Sequence, residues 1–321
     1  MQLGRMRAKN FYDRHLFLRP NSFSLDLNVG FETFDPKDGD EGIDMLLEWI
    51  RRMSPDGGRL KKAVHEADFV CWRGLLTKIS SSVYNKEEGW IVRAIRRKDV
   101  IFMMEEKTET AKRREANQTE MAKRMSYWGH KFEHYVTKDD DMEEPDTTGP
   151  VTTKEEYAVV CRNDLLTDSR LQPDRRSLGI LYSGEVDCLD KYGNLIELKT
   201  QKGPTNAYFW SSHKSLKWWL QSSLVNADTI VVGHRSADGK VEALSTIKTR
   251  EMPQRCSWNF RACFDFTSTI LTHIYNCLER EGDACVVEFN TELGLHKGVK
   301  LRRTSADTCD FVSQSFLEKY T

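Results

Sequence analysis

The chain has 321 residues, enough for one large domain or two ordinary ones with a sizeable core. With 39% hydrophobic and 30% charged residues and a net charge of −1, it reads as a globular chain, and any nucleic-acid partner has to be held by local basic patches. Eight cysteines without a C-x-x-C pair argue against a zinc site or redox dithiol and for reduced thiols, no run is apolar enough to span a bilayer, and MQLGRMRAKN lacks a signal peptide's apolar stretch, so an intracellular protein, nuclear and/or cytoplasmic, is expected.

Residues 1–40 read as a mostly irregular N-terminal arm, with one short strand or extended segment in FLRPNSFSLDLNVGFETFDP. Between Glu41 and Met53, Ile43, Leu46, Leu47 and Ile50 recur at helical spacing, and SPDGG ends that helix. DFVCWRGLLTKI, residues 68–79, predicts a buried strand or short helix with Arg73 at its centre. A buried arginine needs an anionic partner, either a structural carboxylate or a substrate phosphate, and the first is the commoner case. GWIVRAI and DVIFMME predict two strands around a basic turn, Arg96, Arg97 and Lys98, read as a solvated hairpin tip.

One helix is expected over 106–137, with Met121, Met125, Trp128 and Phe132 as a core-facing stripe. Glu133 lies beside that stripe, and Gly129, one turn earlier, clears space where a metal or nucleotide can approach. The bland alternative is an exposed glutamate near a helix end. KDDDMEEPDTTGP, residues 138–150, is an acidic loop, EEYAVVCRNDLL a strand, and LTDSRLQPDRRS a turn-rich link. Residues 207–226 predict a helix in which Lys214, Lys217, Gln221 and Leu224 share one stripe, and Trp210, Trp218 and Trp219 supply bulk or stacking surfaces. TIVVGHR, a helix over 256–280, then ACVVEFN and GVKLRR complete the pattern. The fold class expected is α+β (mixed α/β), in a single domain over 1–321.

The segment from Gly179 to Gln201 carries the chemistry. It predicts a strand through Cys188, a turn in DKYGN, and a strand from Leu195 to Thr200, folded as a hairpin. Alternation puts Glu185 and Asp187 on one face, and Glu197 and Lys199 on one face opposite Ile196 and Leu198. Three carboxylates so close repel and raise one another's pKa, and a divalent ion makes them tolerable. Oxygen ligands without Cys or His point to Mg²⁺ or Mn²⁺, and an adjacent lysine suits phosphate chemistry. On spacing alone, a solvated hairpin with paired Glu and Lys stays equally open.

CWRGLLTK around Arg73, WGHKFE ending at Glu133, GEVDC, IELKT and HKSLKWWLQS with Gln221, in that order over residues 68–235, resemble the motif set of the DXO family of decapping exoribonucleases. VGFETF in the arm and GHR after the tryptophan helix add to the likeness. The resemblance implies two mixed β-sheets flanked by helices around a restriction-nuclease-like core. It implies hydrolysis at RNA 5′ ends: removal of triphosphate and of incomplete, unmethylated or NAD-type caps, with 5′–3′ degradation of the exposed RNA. It also implies that Glu133, Asp187, Glu197 and the Leu198 carbonyl bind two divalent ions, Mg²⁺ or Mn²⁺, with Glu185 acting through water. Lys199 and Gln221 would hold the scissile phosphate or nucleophile, and Arg73 would meet the 5′-terminal substrate. His130 departs from the apolar or aromatic residue expected there, which implies altered local packing. A nuclear 5′–3′ exoribonuclease is a partner of some relatives. A non-catalytic RNA-end binding factor and a DNA endonuclease on the same acidic core are the alternatives.

Overall fold

The computed structural model describes residues 2–5, 9–13, 16, 22–37, 42–85, 87–154, 157–167, 170–171, 173–174, 177–205 and 210–321. Their strands form two sheets. The larger has the order Gln2–Arg5, Ala158–Leu166, Ser177–Glu185, Phe69–Trp72, Val100–Glu106, Trp90–Arg97, Ala284–Phe289, Val299–Thr304. Phe69–Trp72 runs parallel to both of its neighbours while the other pairs are antiparallel. The smaller has the order Leu25–Asp26, Lys240–Lys248, Thr229–Arg235, Leu195–Lys202, Cys188–Leu189, Asn10–Phe11, Thr137–Lys138, and is also mixed. Two mixed sheets with helices around them are the architecture expected.

Burial on both faces explains the apolar strands. In Ser177–Glu185, Ile180 and Tyr182 pack with Leu75, Leu76 and Ile270 from the helices Arg73–Ser81 and Phe260–Cys277. Leu181 points the other way, into a cluster with Leu46 and Ile50 of the helix Asp44–Met53 and with Phe316. In the smaller sheet, Ile196, Leu198 and Val231 meet Tyr127, Trp128 and Phe132 of the helix Glu120–Val136. Ile230 and Val232 meet Leu216, Trp219 and Leu220 of the helix Ser215–Val225 on the opposite face.

Several expectations are corrected. The strand expected from Gly179 to Cys188 breaks after Glu185: its first part belongs to the larger sheet, and only Cys188–Leu189 pairs with Leu195 and Ile196 as a short hairpin in the smaller one. Tertiary pairing overrides local continuity here, because both edges of Ser177–Glu185 are already taken by Phe69–Trp72 and Ala158–Leu166. The helix expected over 106–137 is a strand end followed by two helices, Glu109–Ala116 and Glu120–Val136, the hydroxyls of Thr108 and Thr119 each capping one. Trp128 and Phe132 are buried as expected, but Met121 and Met125 are 52% and 47% exposed. A strand at Lys240–Lys248 had no sequence reading, because its residues alternate without a clear apolar face.

The basic turn is not simply solvated. Lys98 and Asp99 take φ of 46° and 66°, as a two-residue hairpin turn requires, and Lys98 donates to the Tyr320 carbonyl. Arg96 lies over the Tyr275 ring and donates to the Leu278 carbonyl at 3.0 Å. The helix expected over 207–226 begins with one wide, π-type turn at Trp210–Lys214 and continues as Ser215–Val225; 207–209 lie outside the described residues. So do 17–21 of the arm segment, 155–156 of the EEY strand and parts of the turn-rich link. In the arm, the strands are Gln2–Arg5, Asn10–Phe11 and Leu25–Asp26. The acidic loop is tied down: Asp146 accepts from the Thr148 and Gly149 N–H groups, and Lys131 donates to the Thr147 carbonyl at 3.1 Å.

The helix Glu120–Val136 sits close on its sheet because Gly233 has no side chain: a Cβ there would lie 2.7 Å from the Phe132 ring. Gly233→Ala is therefore expected to lower stability by about 1–3 kcal/mol, read by thermal denaturation, with Phe132→Leu in the same chain recovering part of the loss. Full stability in Gly233→Ala alone would show that the helix is not held at this distance.

Candidate active site

The site forms where the chain passes from one sheet to the other. Glu185 ends the strand of the larger sheet, and Val186 and Asp187 form the crossing to Cys188. Asp187 Oδ2 accepts from the Leu198 N–H at 2.5 Å, a donor just past the end of the short hairpin. Glu197 and Lys199 share the face of their strand that carries Ile230 and Val232 in the adjacent parallel strand, so both point towards the helix Ser215–Val225. Lys199 Nζ is 2.5 Å from Glu197 Oε1.

Arg73 opens the helix Arg73–Ser81 at the C-terminal end of Phe69–Trp72 and is buried. It reaches across Gly184, where a Cβ would stand 2.8 Å from Arg73 Cδ. Its Nη1 donates to the carbonyls of Glu185 at 2.9 Å and Gln221 at 3.3 Å, and stands 4.0 Å from Glu197 Oε2. Its Nε is buried and has no partner among the described residues. The structural partner weighed from sequence is thus present at a distance, as Glu197, and the closer partners are backbone carbonyls.

Glu133 comes from the far wall. It lines a cavity of about 350 Å³ with Gly129, Leu198, Lys199, Thr200, Lys214, Lys217 and Trp218. A second, smaller cavity joins it to Glu185 and Asp187, and adds Lys9, His134 and Tyr157. Gly129 has open space where a Cβ would sit. His130 Nδ1 stands 3.8 Å from Glu133 Oε2 and its ring stacks on Phe34, so the histidine at the unexpected position takes an aromatic role against the VGFETF segment.

Charge decides what this arrangement tolerates. Burial holds the Asp187 carboxyl well above its ordinary pKa, and the charges of Glu197 and Glu133 add to that. Burial opposes the charge on Lys199, but Glu197 and Asp187 more than offset it and its pKa is raised. As the side chains stand, no three Asp, Glu, His or Cys groups among the described residues are gathered closely enough to hold a metal ion. Glu197 is turned to Lys199 and Asp187 to the Leu198 N–H. The donor set still fits a hard divalent cation: three carboxylates within electrostatic reach, all oxygen, one of them destabilised as an anion until more positive charge arrives.

Sequence reasoning missed His134, whose Nδ1 is buried without a partner in the described residues and which lines the smaller cavity. Its position one residue after Glu133 was the available signal. It also missed a larger cavity, about 740 Å³, that opens from Arg73 and Glu185 over Trp72, Trp49, Met103 and Met104. That cavity is assembled from several elements, and no single motif marks it.

The model of the RAI1-like PD-(D/E)XK nucleases matches residues 2–317 of this chain. The chain belongs to this family. Among curated members, it is 66% identical over 320 residues to the decapping nuclease dom-3 of Caenorhabditis elegans, covering all of this chain and 81% of that one. It is 31% identical over 313 residues to the human decapping and exoribonuclease protein, covering 91% and 75% of the two chains. In fold, this RAI1-like nuclease resembles Scheffersomyces stipitis Rai1 with a TM-score of 0.78 at 18% identity, over 96% of this chain and 88% of that one. Candida albicans Rai1, solved in complex with pU5-Mn²⁺, gives 0.76 at 18% identity over 97% and 89%.

Asp187→Asn keeps an acceptor for the Leu198 N–H and removes the repelled charge. It is expected to stabilise the protein in EDTA by about 1–3 kcal/mol and to abolish the rise in Tm that Mn²⁺ gives the wild type. Calorimetry in EDTA and in Mn²⁺ checks both; an equal Mn²⁺ response in the variant would remove Asp187 from the ligand set.

Proposed function

We propose that this protein is a metal-dependent hydrolase of RNA 5′ ends, removing incomplete, unmethylated or NAD-type caps and 5′ triphosphate and degrading the exposed RNA 5′ to 3′, as a single catalytic domain. The observation that carries this is the meeting of Glu133, Asp187, Glu197 and Lys199 beside a buried arginine with an unspent donor. Family membership and the decapping relatives at 66% and 31% identity support the same reading.

Glu133, Asp187, Glu197 and the Leu198 carbonyl, with Glu185 through water, would hold Mg²⁺ or Mn²⁺, which would supply Lewis-acid charge at the phosphate. The chain's own residues do the rest. Lys199, kept protonated by Glu197 and Asp187, places fixed positive charge where the transferring phosphate becomes most anionic. Gln221 follows Lys217 by one helical turn and its carbonyl accepts from Arg73; its side-chain amide would steady the scissile phosphate or the nucleophile. Arg73 offers its free Nε to the 5′-terminal group, where a buried unpaired donor gains about 1–3 kcal/mol on finding an acceptor. The larger cavity beyond Arg73 is the space for whatever the 5′ end carries.

Among the described residues no helix is long and apolar enough to cross a membrane. All eight cysteines are free, and an intracellular, reducing location fits them.

Glu185→Ala with Asp187→Ala should abolish Mn²⁺-dependent cleavage of body-labelled 5′-modified RNAs, a fall of 10³-fold or more on the order of magnitude expected for lost phosphate activation, with the circular dichroism spectrum unchanged. Retained turnover in that variant sinks the mechanism. RNA binding without turnover in the wild type would leave the end-binding factor, and faster cleavage of a 5′-phosphorylated DNA strand would leave the DNA nuclease.

A further inference from the structure

Val299–Thr304 is the last strand of the larger sheet, paired through all six of its residues with Ala284–Phe289 on one side and, among the described residues, with no strand on the other. A free sheet edge presents a row of unpaired N–H and C=O groups, which is a template for one more strand. What that strand must look like is set by the two faces of the edge.

Val299 and Leu301 lie opposite Phe289 and Val287, which pack with Leu271 and Ile274 of the helix Phe260–Cys277, so both belong to the face that this helix covers. At the edge the cover is incomplete. Between Val299, Leu301 and Leu295 on one side and Ala262, Phe266 and Ile270 on the other lies a mostly apolar cavity of about 770 Å³. Leu301 is exposed beside it, as is Leu293 in the short helical turn that precedes the strand.

The other face is cationic. Lys300 and Arg302 alternate onto it; both are exposed, and among the described residues neither has a carboxylate within ion-pair distance, not even Glu288, which stands opposite Lys300 in the register. Arg303, on the cavity side, is taken up by Asp283 at 3.5 Å. Charges on an edge strand guard it against a second copy, since two such edges side by side would set cation against cation. A guard by itself needs neither a leucine at the middle of the strand nor an apolar cavity beneath it.

We propose that Val299–Thr304 takes up an extended segment of another protein as one further strand, with apolar side chains at alternate positions entering the cavity and acidic side chains between them meeting Lys300 and Arg302. The backbone ladder supplies affinity and the alternation supplies selectivity. The cavity shares no lining residue with those around the catalytic cluster, so a partner held at this edge leaves the cleft open to its substrate.

The probes are fluorescent peptides of about eight residues with blocked ends, long enough to span the edge, one alternating valine with glutamate and one alternating valine with lysine. The full chain should bind the valine–glutamate peptide about tenfold more tightly, read by anisotropy, and an excess of that peptide should slow amide exchange across Val299–Thr304. Lys300→Glu/Arg302→Glu should reverse the preference, and Leu301→Ser should weaken the valine–glutamate peptide about three- to tenfold while keeping the preference, each with the wild-type circular dichroism spectrum. Equal affinity for the two peptides, a preference that survives the charge reversal, a Leu301→Ser chain that binds as wild type, or unchanged exchange at the edge overturns the proposal. So does a concentration-dependent dimer in sedimentation velocity that itself protects Val299–Thr304, because the edge then belongs to a second copy.

Discussion

The structure depends on the repulsion among carboxylates at the junction of its two sheets. Asp187 is held in a partly buried position near Glu197 and Glu133, and Lys199 balances only part of that charge. A fold that keeps such a cluster spends stability on it, which makes sense only where further positive charge arrives from outside. Family membership in the RAI1-like nucleases gives that charge a source and a purpose.

Everything nearby serves to hold the cluster in place. The larger sheet delivers Glu185 at the end of one strand and Arg73 just past the end of the adjacent parallel strand, and the smaller delivers Glu197 and Lys199 from one strand face. Asp187 sits on the crossing between them. Close approach is bought from glycines: Gly184 lets the Arg73 side chain pass, and Gly233 lets the ring of Phe132 rest on the strand, which fixes the helix that carries Glu133. The side chains remain turned to internal partners, Glu197 to Lys199 and Asp187 to the Leu198 N–H, so an incoming cation competes with these contacts.

The surroundings of the cluster are asymmetric. On one side lies a cavity walled by Trp72, Trp49 and methionines; on the other, one walled by Lys199, Lys214 and Lys217.

The sequence by itself put Glu197 and Lys199 on one strand face, because alternation along IELKT is a local property of extended chain. It also determined most strands, since those buried on both faces are continuously apolar, and the helix carrying Glu133, whose buried Trp128 and Phe132 keep helical spacing. Only the tertiary structure decided that the strand ending at Glu185 leaves its expected hairpin for another sheet, because that depends on which edges distant strands occupy. It alone showed that Met121 and Met125 face solvent: their periodicity matches that of core residues, and periodicity records a shared face without saying what covers it. The partners of Arg73 were hidden for the same reason, being backbone carbonyls of Glu185 and Gln221, groups every residue has and no motif distinguishes.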